Sequence, residues 1–131
     1  MSAAAEGEQG QALVETLLAL TLVLLTLALA AQALAYLDTR LLAREAAVEA
    51  ARTAAGQGVA AGLNRAQAIL AATPGLSAHL HTSASLSGNE VSVAVSGSPP
   101  SLGGFFAALV PIVREQASLP LERYPAGEAR P

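Results

Sequence analysis

The sequence predicts an α+β chain: a long N-terminal helix apolar enough to enter a membrane, its continuation into water, and then a small antiparallel sheet. Three observations predict it. Thr16 to Leu37 carries no charge. Apolar residues then recur at three- and four-residue steps as far as Ala55, which is the helical period. From Leu76 the spacing switches to strict alternation, the period of a half-buried strand.

The uncharged run is 22 residues long. As a helix it measures about 33 Å, enough to cross a hydrocarbon core of about 30 Å. Ten of the 22 residues are Leu, worth about −5 kcal/mol together at mid-membrane. That outweighs Gln32 and the hydroxyls of Thr16, Thr21 and Thr26. Tyr36, Asp38 and Arg40 mark the return to water. The chain has 131 residues, so a globular domain large enough to bury such a helix is not available. A cleaved secretory signal is the competing reading, because Ala28-Leu29-Ala30 and Ala33-Leu34-Ala35 resemble its cleavage sites. Residues 1–10 hold no Arg or Lys, however, and the apolar run exceeds a signal core.

Past the membrane the same helix continues. Leu34, Leu37, Leu41, Val48, Ala51 and Ala55 form one apolar stripe, expected to be the packed face. Arg40, Arg44, Glu45, Glu49 and Arg52 mostly lie off it, with Glu49 and Arg52 spaced to pair. Gly56-Gln57-Gly58 ends or bends the helix. A second helical stretch from Val59 to Thr73 stops at Pro74-Gly75, so residues 38–75 form an amphipathic helical region.

In residues 76–124 the alternation of Ala78, Leu80, Thr82, Ala84 and Leu86 with Ser and His predicts a strand. Gly88-Asn89 is a tight turn, and Val91, Val93 and Val95 make the buried face of the return strand. Ser98 to Gly104 is a loop. Phe105 to Val113 is apolar but too short to span, which suits core or membrane-surface contact. Val113, Ala117, Leu119 and Leu121 predict a third strand, and Pro120 puts it at a sheet edge. Residues 125–131 read as a loose tail.

Composition excludes several functions. The net charge of −3 provides no basic face for nucleic acid. With no Cys there is no disulfide, thiol nucleophile or thiolate metal site. His79 and His81, two apart on a strand's polar face, could share a metal only if a third ligand such as Glu90 faced them across the hairpin. Exposed polar positions are the commoner explanation, and no metal site is assigned. No nucleophile motif or phosphate loop is present. The sequence predicts a non-enzymatic protein without a cofactor.

One residue stands out. Glu15 is the lone acid at the mouth of the apolar run, where a carboxylate drawn into the membrane costs about 3 kcal/mol. Cutting after Gly10 would make Gln11 the first residue and Glu15 the fifth.

That pattern resembles the processing site of type IV pilin-like proteins. The string Gly10-Gln11-Ala12-Leu13-Val14-Glu15 is similar to the TadE-like pseudopilins of the tight-adherence (Flp) pilus machinery. AREAAVEAARTAAG and REQASLPLERY extend the resemblance over about residues 10–124, of which 10–55 are the specific part. The family often has an aromatic after the Glu, where this chain has Thr16, and basic leaders, where this chain has Glu6 and Glu8. The resemblance implies a pilin-like fold and cleavage between Gly10 and Gln11 by a prepilin peptidase. It also implies subunit assembly through Glu15, paired with the new N-terminal ammonium of a neighbour.

The expected organisation is a leader over 1–10, a transmembrane helix over 11–37, the helical region, the β region and the tail. Arg counts near the membrane ends are zero before and three after (Arg40, Arg44, Arg52). Alone, they place the C-terminal part in the cytoplasm. A peptidase-like site requires a cytoplasmic leader, which places that part in the periplasm, across the bacterial inner membrane, and the latter orientation is adopted. The expected function is that of a minor pseudopilin in assembly or initiation of a pilus or related secretion apparatus. Its partners would be the peptidase, other pilin-like subunits, inner-membrane assembly machinery and lipid. The alternative is an unprocessed signal-anchor protein with a small periplasmic binding or scaffold domain.

Overall fold

The computed structural model describes residues 2–121, with side chains from Ala4. The tail expected over 125–131, and the end of the β region from Glu122, lie outside the described residues. The chain forms two compact units that divide between Leu34 and Ala35. The first helix, α1 (Ser2–Gln57), contributes to both.

In the first unit the stretch of α1 from Thr16 to Ala31 has no charge, and large apolar side chains surround it. Leu13, Leu17, Leu18, Leu20, Leu22, Val23, Leu24 and Leu27 are all more than half exposed. Water-soluble proteins rarely present apolar surface so continuously. α1 is thus long and apolar enough to cross a membrane. The three threonines fit that setting. Thr16, Thr21 and Thr26 each donate the hydroxyl to the carbonyl four residues back, of Ala12, Leu17 and Leu22, at 2.8 Å. Each side chain is satisfied within its own helix and needs no water.

The second unit packs helices on one face of a sheet. Beyond α1 come α2 (Val59–Ala71), α3 (Pro74–Ser77), β1 (Leu80–Ser87), β2 (Glu90–Gly97), α4 (Gly104–Leu109) and β3 (Val113–Pro120). The strands form an antiparallel sheet in the order β1-β2-β3. Register pairs Thr82, Val95 and Glu115 in one row, and Ala84, Val93 and Ala117 in the next. Val91, Val93 and Val95 are fully buried against α1 and α2, as the alternation predicts. Burying each is worth about 1.5–3 kcal/mol. Pro120 ends an edge strand, where its missing N–H leaves no ladder bond unmade.

The sheet meets α1 through alanines. Ala43, Ala46, Ala47, Ala50, Ala51 and Ala54 are all buried. This corrects the expected packed stripe. Ala51 and Ala55 belong to the buried side, but Leu34, Leu37 and Leu41 are 61%, 50% and 64% exposed. At about 100° per residue, Leu41 and Ala43 point to opposite sides of the helix. Both faces obey the helical period; size decides between them. Valines on the sheet leave room for a methyl group on the helix, not for an isobutyl group. Thr39 shares the alanine side, fully buried, its hydroxyl donated to the Ala35 carbonyl at 2.7 Å.

Small residues also let the two helices touch. A Cβ placed on Gly62 would lie 2.6 Å from the Ala54 Cβ and 2.7 Å from the Ala50 carbonyl oxygen. Gly58 separates α1 from α2 with φ of +101°, a backbone conformation that favours glycine. The second helix ends at Ala71, close to the expected Thr73. The first strand begins later than predicted. Alternation includes Ala78, but Pro74 opens a helical turn that occupies Pro74–Ser77, so pairing starts at Leu80. Of the short apolar run over 105–113, residues 105–109 lie in α4, which buries no residue, while Val113 opens β3 in the core.

Candidate functional site

Gly10, Gln11 and Glu15 lie in α1 and are exposed. Gln11 and Glu15 are four residues apart, hence on one face, about 6 Å apart along the axis. Among the described residues no group bonds the Glu15 carboxylate. Nothing crowds Gly10: a Cβ there would meet no atom within 4 Å. Glycine inside a helix costs about 1 kcal/mol relative to alanine, and no packing within the chain calls for it here.

Among the described residues, two ion pairs involve the charged positions of α1 beyond Leu37. Arg52 Nη1 donates to Glu49 Oε1 at 2.9 Å, as their spacing predicts. Arg40 Nε donates to Glu115 Oε1 at 2.8 Å. The second pair was not foreseen, because Glu115 occupies an inward position of β3, in the row of Thr82 and Val95. Its alternation with Val113 and Ala117 was the available signal. The hydrogen bond to Glu115, and then that group's charge, raise the Arg40 pKa above its ordinary value.

The histidines gain no third ligand. His79 precedes β1 and His81 lies on it, both exposed. Register sets His81 opposite Ser96 and Glu90 opposite Ser87. Glu90 therefore sits at the far end of the hairpin, which removes the proposed cross-strand ligand. Among the described residues no three His, Cys, Asp or Glu groups gather in one place.

A half-open cavity of about 440 Å³ lies between the turn at Leu76 and His79 and the segment carrying Ser98, Pro99, Ser101 and Val110. Its lining contains one titratable side chain, His79, and no carboxylate, so it holds no acid–base pair. The residues that combine chemistry with an unexplained placement remain Gly10, Gln11 and Glu15. No family model, curated protein or solved structure matches this chain.

Proposed function

We propose that this chain is a minor pseudopilin of the TadE-like, type IV pilin-like class, acting in assembly or initiation of a tight-adherence pilus or related secretion apparatus. One observation carries the reading. Between Glu8 and Asp38 the only charge is Glu15, five residues beyond a glycine that packing does not require.

Cleavage after Gly10 by a prepilin peptidase would expose an ammonium at Gln11, one helical turn from the Glu15 carboxylate. A neighbouring helix displaced by a turn would then bring opposite charges together. In a low-dielectric setting they attract strongly, and either one left alone is costly. A single pair per helix would fix the axial register of helices that leucine packing alone leaves free to slide. The domain beyond Ala35 would stand in the periplasm, with the leader in the cytoplasm, and the protein would do no catalysis.

A second reading has its own support. α1 runs without interruption from Ser2 through Gly10, and the arginines follow the apolar run rather than precede it. An unprocessed single-pass anchor bearing a small binding or scaffold domain would have both features.

Glu15→Gln tests the assembly role. The variant should insert at least as well as the parent, because a charge has been removed from the membrane's edge. Recovery of pilin-like subunits with it, from the same membranes, should fall by the equivalent of about 1–3 kcal/mol. Equal recovery would reduce Glu15 to a marker of the helix start.

A further inference from the structure

The sheet runs along α1 with a definite polarity. Val91 and Val93 pack with Ala50, Ala51 and Ala54, whereas Val95, Leu80 and Val113 pack with Ala43, Ala46 and Ala47, and Tyr36 lies against this second group. The strand ends at Leu80, Gly97 and Val113, which are register partners, are therefore the ends nearest Tyr36. Distance agrees. Glu115 touches Arg40, and Val113 lies two residues further down β3, about 7 Å, or between four and five helical residues. That reaches the level of Tyr36, where the uncharged run stops.

From this end the chain emits residues 98–112, bracketed by Gly97 and Val113. The segment has no charge; the nearest charged residues along the chain are Glu90 and Arg114. It exposes Leu102, Phe105, Leu109 and Ile112 by 61–70% each. Phe105 and Phe106 stand edge to face, their centroids 5.5 Å apart. Four large apolar side chains grouped in one short segment are not a random scatter of surface hydrophobes. The segment leaves and rejoins the sheet at the height along α1 of Tyr36 and Arg40, an aromatic and a charge that mark a water interface. The nearby carboxylate of Glu115 is already engaged by Arg40, and Arg114 stands two residues past the segment, as suits a headgroup layer.

We propose that residues 98–112 form a second membrane contact, with Phe105, Leu109, Leu102 and Ile112 inserted at the boundary between headgroups and acyl chains. The occupant of this surface is lipid. The contact would tie the second unit to the bilayer surface. It rests on the membrane-spanning reading of Thr16–Leu37 and is independent of cleavage, Glu15 and pilus assembly.

The chain contains no Trp, so one introduced Trp reports one place. Full-length Phe105→Trp, Leu24→Trp and Asn89→Trp are each reconstituted into phosphatidylcholine–phosphatidylglycerol vesicles with and without brominated lipid, brominated high on the acyl chain for Phe105→Trp and Asn89→Trp and near the chain end for Leu24→Trp. Phe105→Trp should emit to the blue of Asn89→Trp, at the opposite end of the sheet, and be quenched several times more strongly. Water-like emission with quenching no greater than that of Asn89→Trp overturns the proposal. Blue-shifted emission without quenching also overturns it, because protein rather than lipid would then cover the segment. Leu24→Trp separates the two layers of the argument. If it is quenched and Phe105→Trp is not, only the second contact fails; if Leu24→Trp is not quenched, the spanning reading fails and takes this contact with it.

Discussion

On either side of Leu34 the apolar residues of α1 are almost all Leu, Ala and Val, yet the two stretches solve different problems. Before Leu34 the large apolar side chains stay exposed, and the polar Gln32 is the large side chain buried there. After it, the fully buried side is alanine with Thr39, Leu42 packs half-buried at its edge, and Leu37 and Leu41 face away from the sheet. A lipid environment rewards large side chains in every direction, because it has no shape to match. A sheet of valines rewards close approach, so the smallest apolar residue wins. Hydrophobicity alone does not distinguish the faces; the size of what each must meet does.

The sharpest way to break this comparison is to place one carboxylate in each stretch. Ala46→Asp would bury an unpaired charge against Val95 and Val113, and should cost about 3–5 kcal/mol of second-unit stability. Leu24→Asp should leave that unit's unfolding unchanged and weaken membrane insertion by about 3 kcal/mol. Urea unfolding in micelles and extraction by alkaline carbonate read the two effects separately. If either variant moved both readouts equally, the two stretches would not be independent.

A smaller effect tests the close approach of α1 and α2. Gly62→Ala sets a methyl group against the Ala50 carbonyl oxygen, a backbone atom that cannot swing aside. Overpacking of this kind should destabilise by about 1–3 kcal/mol, although alanine is the better helix former. A gain in stability would mean the helices separate readily. The smallest effect belongs to the outward leucines. Leu41→Ala should change second-unit stability by no more than about 0.5 kcal/mol, where a core leucine would cost several times that.

These outcomes bear on how far the sequence speaks for itself. The helical and strand periods, the Gly88-Asn89 turn and the edge strand carrying Pro120 are all local signals, and local signals were legible. The alanine face was not, because its period equals that of the leucine stripe and only the partner sheet decides between them. Gly62 gave no warning either, since its tight contact with Ala50 and Ala54 arises between elements. Register was the other blind spot. Once the turn is fixed at Gly88-Asn89, Glu90 falls opposite Ser87 and His81 opposite Ser96, so proximity in sequence misled. At the candidate site the reverse holds. Gly10, Gln11 and Glu15 stand out by charge and spacing along the chain, and the fold adds that Gly10 is spatially unconstrained.

The proposed function depends first on cleavage between Gly10 and Gln11. Intact-mass and N-terminal peptide analysis of the protein, extracted from membranes of cells that hold a prepilin peptidase, measures this directly. The account predicts a chain beginning at Gln11, and an uncut precursor when Gly10→Val obstructs approach of the protease to the backbone. An N-terminus at Met1 in those cells, or one at Ala31 or Tyr36, would contradict it.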